Sequence, residues 1–353
     1  MPGSPRSRSA AGRDARAVVV LAVPPGLRAE FFGMADPTGP GGVAERLRAV
    51  ADVVAVDDPA DVDALRAALA DADVLVSSWG MPRLTGELLA AAPRVGLLAH
   101  TGAAITPYVG ADAFARGVRV TQAGQGMARS VAEVALAFTL ALLHRIHRYD
   151  HALRGGDDWA AASVAPARHE VLGARIGVVG ASRTGRAYIE VVRALGARVQ
   201  VADPTLSAAD AAELGVELVD LDRLLTSSRI VALHAPSLPA TRHLIGAREL
   251  ALLADGAGLV NTARSWLVDE RALLAELATG RIDAALDVFD REPLPVDHAF
   301  RALPNVLLTP HRAAGTVECR RRQGDIVLDE VERHLTGRAL DHEVGPDALT
   351  RVG

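Results

Sequence analysis

The sequence contains no lysine, one cysteine and few aromatic residues. All 38 basic side chains other than histidine are arginine, so a lysine Schiff base and a lysine general base are excluded. Cys319 stands alone, which excludes an intrachain disulfide and a cysteine-based metal cluster, and we expect no metal site. A single thiol is compatible with a reducing cytoplasm, where we expect the protein to reside. Aromatic residues make up 3% of the chain, so alanine, valine and leucine must build its cores.

Long hydrophobic runs and a strong excess of either charge are also absent. The run that comes closest to a membrane span, residues 131–146, carries Glu133, His144 and Arg145. The formal net charge of −5 gives no reason to expect nucleic acid. We therefore expect neither a membrane nor nucleic acid as a partner. The 353 residues predict two domains, and the polar, Ser/Arg-rich residues 1–15 are expected to be disordered.

The stretch from Arg175 to Asp203 has the pattern of a dinucleotide-binding unit. An apolar run ends at Gly180, Ser182 and Gly185 follow at the spacing of a glycine fingerprint, and a helical pattern leads to a second apolar run that ends at Asp203. Gly180 permits the turn, and the helix N-terminus offers N–H groups to a pyrophosphate. Asp203 can accept hydrogen bonds from a ribose diol and would repel a 2′-phosphate. No arginine follows it directly, so the pattern favours NAD over NADP.

Apolar runs alternate with helical patterns on both sides of this stretch. Residues 17–121 predict an α/β unit with a parallel sheet and no glycine fingerprint. A long helix, apolar around most of its circumference, is predicted from Ser130 to Tyr149, with Ser130 and Glu133 as a capping box. Further apolar runs after the fingerprint predict about six strands in doubly wound order. Residues 314–335 predict one long helix, and the tail after residue 337 shows no clear pattern.

Three charged side chains each follow a late apolar run: Arg264, Glu292 and His311. Because ligands bind outside the carboxyl ends of an open parallel sheet, we expect all three at one crevice, near the nicotinamide end of a cofactor. Arg264 can hold a carboxylate through two parallel hydrogen bonds, and His311 can exchange a proton near neutral pH. Glu292 can orient the imidazole and favour its protonated form. Together they supply what hydride reduction of a 2-keto acid requires.

From residue 17 to residue 335 the chain resembles the D-isomer-specific 2-hydroxyacid dehydrogenases. The similarity is most specific in VGASRTG, LHAPSLPATRHLI, VNTARSWLVDE and ALDVFDREPLP, and in the NVLLTPH that follows. The resemblance implies that Arg264 binds the substrate carboxylate, that Glu292 is the partner of the histidine and that His311 is the acid/base. It implies NAD as the cofactor. The cofactor-binding positions would be Gly180, Ser182, Arg183, Thr184, Gly185, Asp203, His234, Ala235, Pro236, Thr241, Thr262, Ala263 and Asp287.

The resemblance also implies an α/β fold of two Rossmann-like domains with doubly wound parallel sheets, in which a dinucleotide-binding domain is inserted into a flavodoxin-like substrate domain. The substrate domain would comprise residues 16–128 and be completed by residues 317–345; residues 129–316 would bind NAD. In LLAHTGAAI, the backbone amides of Gly102 and Ala103 would clamp the carboxylate of a small anionic substrate. The family further implies a homodimer formed through the cofactor domain.

Some positions depart from the family pattern and keep alternatives open. Ser182 replaces the middle glycine, for which we expect a small local shift. Trp266, beside the anchoring arginine, either narrows the substrate pocket or packs on the domain surface. LLAHTGAAI also departs from its usual pattern, which leaves the substrate open. His100 and Arg129 would add positive charge for a second anionic group if they lay near the substrate; the alternative is that both are surface or helix-start residues.

Two further functions compete with an NAD-dependent 2-hydroxyacid dehydrogenase. The first is a dehydrogenase of a hydroxyphosphonate or related phospho-acid that uses the same site. The second is an NADH-sensing scaffold like the corepressors of this fold, which would require an exposed peptide-binding cleft in the first domain. No sequence feature requires such a cleft, so catalysis is the favoured interpretation.

Overall fold

The computed structural model describes residues 16–33 and 43–350. The expectation of disorder for residues 1–15 lies outside this range. The chain divides into two compact units. Unit 1 comprises Met1–Gln122 and Gly324–Gly345, and unit 2 comprises Ala123–Gln323 and Pro346–Gly353. The chain thus passes from unit 1 into unit 2, returns to unit 1 at residue 324 and enters unit 2 again at residue 346.

Unit 1 is built on a six-stranded sheet. Its strands are β1 (Ala17–Ala22), β2 (Ala51–Val56), β3 (Val74–Ser77), β4 (Leu97–His100), β5 (Arg119–Gln122) and, from the C-terminal part of the chain, β13 (Glu343–Val344). Their order is β13-β5-β4-β3-β1-β2, parallel except for β13. This is the flavodoxin-like order with one antiparallel edge strand added. The tail after residue 337, which shows no clear sequence pattern, therefore supplies a strand.

The helices of unit 1 connect parallel strands, as right-handed crossovers require. They are α1 (Pro25–Phe32), α2 (Val43–Val50), α3 (Val62–Leu69), α4 (Gly86–Ala90) and α5 (Ala111–Ala115). Asp61 caps α3 by accepting hydrogen bonds from the amides of Asp63 and Ala64, each at 3.0 Å. The central strands β3 and β4 are buried along their whole length, which explains why each is apolar up to its last residue, Ser77 or His100.

Unit 2 is built on a seven-stranded parallel sheet. Its strands are β6 (Arg175–Val179), β7 (Arg198–Ala202), β8 (Glu217–Leu218), β9 (Ile230–Leu233), β10 (Gly258–Asn261), β11 (Asp283–Leu286) and β12 (Val306–Leu308). The order β12-β11-β10-β9-β6-β7-β8 is that of a doubly wound nucleotide-binding sheet with one extra strand. The order in which successive strands are added to the sheet reverses between β6 and β9, although the two strands are parallel. Such sheets bind a dinucleotide at this point.

The helices of unit 2 pack on both faces of its sheet. They are α6 (Ala128–His144), α7 (Ile146–Gly155), α8 (Trp159–Ala162), α9 (Arg183–Ala194), α10 (Ala208–Leu214), α11 (Leu221–Ser227), α12 (Ala247–Leu252) and α13 (Glu270–Ala278). A last helix, α14 (Val317–Leu335), begins in unit 2 and ends in unit 1 along the chain. Short 3₁₀ turns complete the described chain, among them Pro239–Thr241 and Ser265–Leu267.

The prediction of a single helix from Ser130 to Tyr149 is wrong in two respects: the helix breaks, and it begins at another residue. It breaks at Arg145, which adopts a left-handed φ of 57° between α6 and α7. It also starts earlier, at Ala128, so Ser130 is no cap: its hydroxyl donates to the Ala313 carbonyl at 2.6 Å. Sequence periodicity could not reveal either feature, because both depend on partners far away along the chain.

The segment that contains helix α6 is more apolar than the sequence analysis above states. Together with the turn before it, Gly124–His144 is long and apolar enough to cross a membrane by length and composition, with a mean hydropathy of 1.5. In the structure 56% of that segment is buried, and residues such as Ala135, Phe138 and Leu142 belong to a core cluster of unit 2. Its apolar circumference is therefore that of a core helix.

A buried ion cluster accounts for the break at Arg145. The Asp283 carboxylate, at the start of β11, accepts hydrogen bonds from Arg145 Nη1 at 2.5 Å and Arg148 Nε at 3.0 Å and lies 3.1 Å from His147 Nε2. Burial opposes its ionisation, but the bonds to His147 and Arg148 and the charge of Arg145 lower the pKa of Asp283 to about 2. The cluster fixes the left-handed turn against the sheet.

We predict that Asp283→Asn destabilises unit 2 by about 3–5 kcal/mol at neutral pH, because it leaves the buried Arg145 without its counter-charge. A carboxyl with a depressed pKa stabilises the fold above its unfolded-state pKa and loses that contribution as pH falls through the native value. The difference between wild type and variant should thus be constant above about pH 5 and shrink towards pH 2. Urea titrations across this range measure it. Asp255→Asn, at an exposed carboxylate paired with Arg281, is the matched control and should change little.

Candidate active site

The turn after β6 brings backbone segments unusually close. Gly180 has a φ of +95°, and a Cβ there would lie 2.6 Å from the backbone N and Cα of Ala235. A Cβ on Gly185 would lie 2.2 Å from the Gly180 carbonyl oxygen. Neither neighbour is a flexible side-chain end, so only glycine fits at both positions. The result is a tight strand–turn–helix that leaves the N-terminus of α9 pointing out of the sheet edge, as a phosphate cradle requires.

Ser182, the departure from the glycine fingerprint, is the N-cap of α9. Its Oγ accepts a hydrogen bond from the Gly185 amide at 3.2 Å. The hydroxymethyl group is therefore turned into the first turn of the helix rather than towards a pyrophosphate. Arg183 and Thr184 occupy the first turn of the helix.

Asp203 closes this unit at the end of β7. One carboxylate oxygen accepts from the Ala181 amide at 2.7 Å; the other accepts from the amide and the hydroxyl of Thr205, at 2.8 and 2.7 Å. Partial burial opposes its charge, but these hydrogen bonds lower the pKa of Asp203, so it is ionised at neutral pH. It thus presents a fixed negative charge beside the phosphate turn.

The residues that follow strand β9, His234 to Pro236, differ in how far they are exposed to solvent. Pro236 is exposed, whereas the His234 imidazole is buried 5.0 Å from the Tyr188 ring, and neither of its nitrogens has a hydrogen-bond partner among the described residues. Burial lowers the pKa of His234 to about 3. The His234 side chain is therefore a buried, neutral imidazole. Thr241 Oγ1 donates to the Pro236 carbonyl at 2.7 Å and holds the following turn.

The loop after β10 carries Arg264 and is fixed by a residue that the sequence analysis missed. Asn261 donates from its side-chain amide to the Arg264 carbonyl at 2.9 Å and accepts from the Ala263 amide at 3.1 Å. An asparagine that ends a buried strand is a recognisable turn signal. Next to it, the buried Thr262 hydroxyl has no partner in the described chain, which suits a site that a ligand group completes.

Arg264, Glu292 and His311 come together in unit 2. His311 Nδ1 lies 2.7 Å from Glu292 Oε2, and Glu292 Oε1 accepts from the Phe289 amide at 3.0 Å. Burial lowers the pKa of the Arg264 guanidinium, and the charge of Glu292 opposes that shift. The three groups thus share one electrostatic environment, as their positions after neighbouring strands predict. Because Nδ1 faces the carboxylate, Nε2 is the nitrogen left for proton exchange.

Asp287, which was named above among the cofactor-binding positions, is buried, with 1% of the residue exposed. One oxygen accepts from the Thr309 hydroxyl and the Arg312 amide, and the other accepts from the Ala313 amide at 2.9 Å. These bonds enclose His311, whose φ of 52° is left-handed and costly for a residue with a side chain. Asp287 therefore positions His311.

Trp266 packs against its own unit. Its indole nitrogen donates to the Leu238 carbonyl at 2.9 Å, and the Arg242 guanidinium lies 5.2 Å from the centre of its ring. These are the contacts of the second interpretation above, a side chain packed on the domain surface. Arg129 is paired as well: it donates to Glu133 at 2.7 Å on the exposed face of α6.

The predicted carboxylate clamp lies in unit 1, at the end of β4. Gly102 is buried, and a Cβ there would lie 2.7 Å from His100 Nε2 and 3.3 Å from the Trp79 ring. His100 is 1% exposed, with its Nδ1 3.0 Å from the Ser77 hydroxyl, and burial lowers its pKa to about 3. The alternative that His100 is a surface residue is therefore wrong, because the side chain is buried. The alternative in which His100 adds a positive charge is not supported either, because burial favours the neutral imidazole.

The described residues contain no group of three or more His, Cys, Asp or Glu side chains placed to hold a metal ion. The single thiol, on Cys319, is buried, and burial raises its pKa. The polar groups described around Arg264 and His311 contact one another through hydrogen bonds, which include the pair of His311 and Glu292.

Comparison with known proteins agrees with this geometry. Residues 136–313 match the family model of the D-isomer specific 2-hydroxyacid dehydrogenase NAD-binding domain. The D-3-phosphoglycerate dehydrogenase of Mycobacterium tuberculosis is 38% identical over 321 residues, 91% of this chain and 58% of that protein. This chain therefore spans little more than half the length of that relative.

Two further proteins are similar over most of their own length. The hydroxypyruvate reductase of Thermotoga maritima is 33% identical over 277 residues, 77% of this chain and 88% of that protein. The solved structure of the pyruvate reductase of Chlamydomonas reinhardtii superposes with a TM-score of 0.72 at 26% identity, covering 93% of this chain and 98% of that one. The chain belongs to the D-isomer-specific 2-hydroxyacid dehydrogenase family, and unit 2 is its NAD-binding domain.

Proposed function

We propose that this chain is an NAD-dependent oxidoreductase that interconverts a D-2-hydroxy acid and the corresponding 2-keto acid. The observation that carries the proposal is the 2.7 Å contact between His311 Nδ1 and Glu292, whose charge also acts on the half-buried guanidinium of Arg264. This set provides an anion anchor and an acid/base next to a dinucleotide fold. The family named above supports the same reaction class.

The chain's own residues account for the proton and the substrate anchor. Arg264 holds the carboxylate in a bidentate grip. NADH, when bound, supplies the hydride. The His311 imidazolium polarises the carbonyl and donates its Nε2 proton to the oxygen as the alcohol forms, and in the oxidative direction Nε2 accepts that proton. Glu292 stabilises the imidazolium, and Asp287 keeps the ring in place.

The residues of unit 2 fit NAD, and the features that would hold it are the following. The Gly180–Gly185 turn, capped by Ser182, would cradle the pyrophosphate, and Asp203 would accept hydrogen bonds from the adenosine ribose. The partnerless Thr262 hydroxyl and the exposed Pro236 border the same end of the sheet. A 2′-phosphate beside the ionised Asp203 would face charge repulsion, which supports NAD over NADP.

His311→Ala is predicted to lower kcat for 2-keto acid reduction by about 10²–10⁴, with unchanged NADH affinity, because a positioned proton donor contributes that factor. NADH oxidation at 340 nm against a panel of 2-keto acids measures it. Glu292→Gln should show a smaller loss of kcat. The matched control is His298→Ala, since His298 forms another histidine–carboxylate contact of unit 2, with its Nε2 3.3 Å from Glu270 Oε1.

Two outcomes would replace this function with another. Cofactor binding without turnover of any keto acid, and without an effect of His311→Ala, would favour the NADH-sensing scaffold. NAD reduction by hydroxyalkylphosphonates at higher kcat/KM than by hydroxy acids would favour the phospho-acid dehydrogenase. The neutral His100 and the paired Arg129 offer no support for a phosphonate clamp.

For cofactor choice, we predict that wild type prefers NADH to NADPH and that Asp203→Asn narrows the preference at least about tenfold, because the repelling charge is gone. The ratio of kcat/KM for the two cofactors is the measurement. Asp210→Asn, a nearby change at the start of α10, should leave the ratio unaltered. A wild-type preference for NADPH would contradict the role given to Asp203.

We further propose a homodimer and a cytoplasmic location. Four large apolar side chains of α7, α8 and the segment that follows are exposed, led by Trp159 at 81% and Val164 at 83%, with Ile146 and Leu153. A second copy that covers them explains their exposure. The single buried thiol supports a reducing compartment, which cell fractionation with an antibody would check.

Light scattering is expected to give twice the mass of one chain. The double variant Trp159→Glu, Val164→Glu should shift the protein to monomer at micromolar concentration, because it places charges where apolar area is buried. Val296→Glu is the control: Val296 is 91% exposed in unit 2 but lies outside the α7–α8 surface. A wild-type monomer would contradict the dimer.

A further inference from the structure

Three arginines occupy neighbouring positions at the amino edge of the unit 2 sheet, hereafter the arginine row. Arg175 and Arg198 begin the adjacent strands β6 and β7 and lie directly opposite each other in the parallel register. Arg229 immediately precedes β9, the neighbour of β6 on its other side, and its amide donates to the Arg175 carbonyl at 2.8 Å. The row therefore places three guanidinium groups at the starts of three adjacent strands.

Two cavities lie at the arginine row, and Arg175 lines both. The first has a volume of about 400 Å³ and is lined by Arg175, Arg229 and His169, together with the C-terminal ends of α11 and α12. The second has a volume of about 430 Å³ and is lined by Arg175, Arg198 and Arg193 among others. Both volumes are in the range of small-molecule sites.

The positive charges of the arginine row are not neutralised within the part of the chain that the structure describes. The three guanidinium groups form no hydrogen bond and no ion pair there. Glu217, which lines the second cavity, is bonded to Arg223 and Gln200 instead, and Glu170 lines the first cavity without contacting an arginine of the row. Like charges at opposite positions of adjacent strands disfavour folding, and a bound anion would remove this cost.

The imidazole of His169 senses the positive potential of the first cavity. Partial burial and the charges of Arg229 and Arg145 together lower the pKa of His169. The histidine is therefore neutral at pH 7, and the positive charge of this cavity comes from arginine. A concave site with a positive potential raises the local concentration of anions.

The arginine row is remote from the candidate cofactor site in the same unit. The Gly180 turn and Asp203 follow the other ends of β6 and β7. Each of these strands has five residues, which at about 3.3 Å per residue separates the two edges of the sheet by roughly 15 Å. An anion at the arginine row would therefore be a ligand additional to NAD.

We propose that the arginine row is a binding site for an oligophosphate, which is a chain of linked phosphate groups with or without a nucleoside. A guanidinium group binds a phosphate through two parallel hydrogen bonds, and arginine keeps its charge at every physiological pH. Guanidinium groups at three neighbouring positions match a ligand with several phosphate groups better than a single phosphate. The inference does not depend on the proposed reaction, since none of these arginines takes part in it.

The test is calorimetric titration of the complete chain with tripolyphosphate at low salt. NADH is present at saturation, so that the phosphate turn after β6 is already occupied. We expect tripolyphosphate to bind, with an affinity that falls as salt is added, because exposed charges are screened. ATP is the second ligand. Binding of ATP no tighter than that of tripolyphosphate identifies the phosphate chain as the recognised group, and tighter binding identifies a nucleoside polyphosphate.

The triple variant Arg175→Gln, Arg198→Gln, Arg229→Gln should weaken tripolyphosphate binding at least about tenfold, because the phosphates lose their bidentate partners. Tripolyphosphate should also raise the Tm of the wild type and not that of the variant, since a ligand stabilises only a fold that binds it. Circular dichroism identifies a triple variant that fails to fold. Arg175→Gln, at the centre of the row, then carries the comparison alone.

A second triple variant controls for the loss of net charge. Arg154→Gln, Arg248→Gln and Arg271→Gln remove three exposed arginines from α7, α12 and α13 of the same unit, and the affinity for tripolyphosphate should change less than about twofold.

Three results would overturn the inference. They are the absence of tripolyphosphate binding to the wild type at low salt, binding that disappears when NADH is at saturation, and equal weakening in the two triple variants. A wild type that binds tripolyphosphate but reduces no 2-keto acid would contradict the proposed function and leave this inference in place.

Discussion

The hydrogen bonds of one buried carboxylate hold the candidate site in its working form. Asp287 accepts from the backbone of the 312–313 segment and from Thr309, and so fixes a loop whose central residue, His311, has a left-handed backbone. A strained conformation of this kind persists only when its surroundings over-determine it. Ser130 adds a bond from α6 to the Ala313 carbonyl. The loop can therefore present an imidazole to Glu292 without needing a ligand to order it.

Hydrogen bonds within the chain also fix the turn after β6 in unit 2. Two glycines allow backbone segments to approach at distances that no side chain tolerates, and Ser182 completes the first turn of α9 with its own hydroxyl. The Asp203 carboxylate accepts a hydrogen bond from the Ala181 amide in this turn, which fixes the position of its charge. The Gly180–Gly185 turn, Asp203 and the loop of His311 all follow carboxyl ends of strands in one sheet, because every second connection of a parallel sheet lies at the same edge.

Unit 1 contributes by a different physical means. Its edge has a neutral imidazole and stacked rings where a phosphate site would need a cation. Burial decides this, since an imidazole removed from water loses its proton more readily than a solvated one.

Much of the fold and of the site could be predicted from the sequence. Strands and crossovers follow from short-range patterns, and the reacting groups follow strands in an order that the fingerprint makes interpretable. Prediction ended where long-range partners decide the outcome. The break at Arg145 depends on Asp283, the task of Asp287 depends on amides more than twenty residues away, and the short strand β13 forms only against β5.

The sequence alone determined the doubly wound class, the dinucleotide turn and the set Arg264, Glu292 and His311, because these depend on residue type and spacing. Only the tertiary structure decided the charge state of His100 and the role of Ser182. A histidine is written the same way whether it is solvated or buried, and a serine hydroxyl can face a ligand or its own helix. Burial and hydrogen-bond partners settle both, and they exist only once the chain has folded.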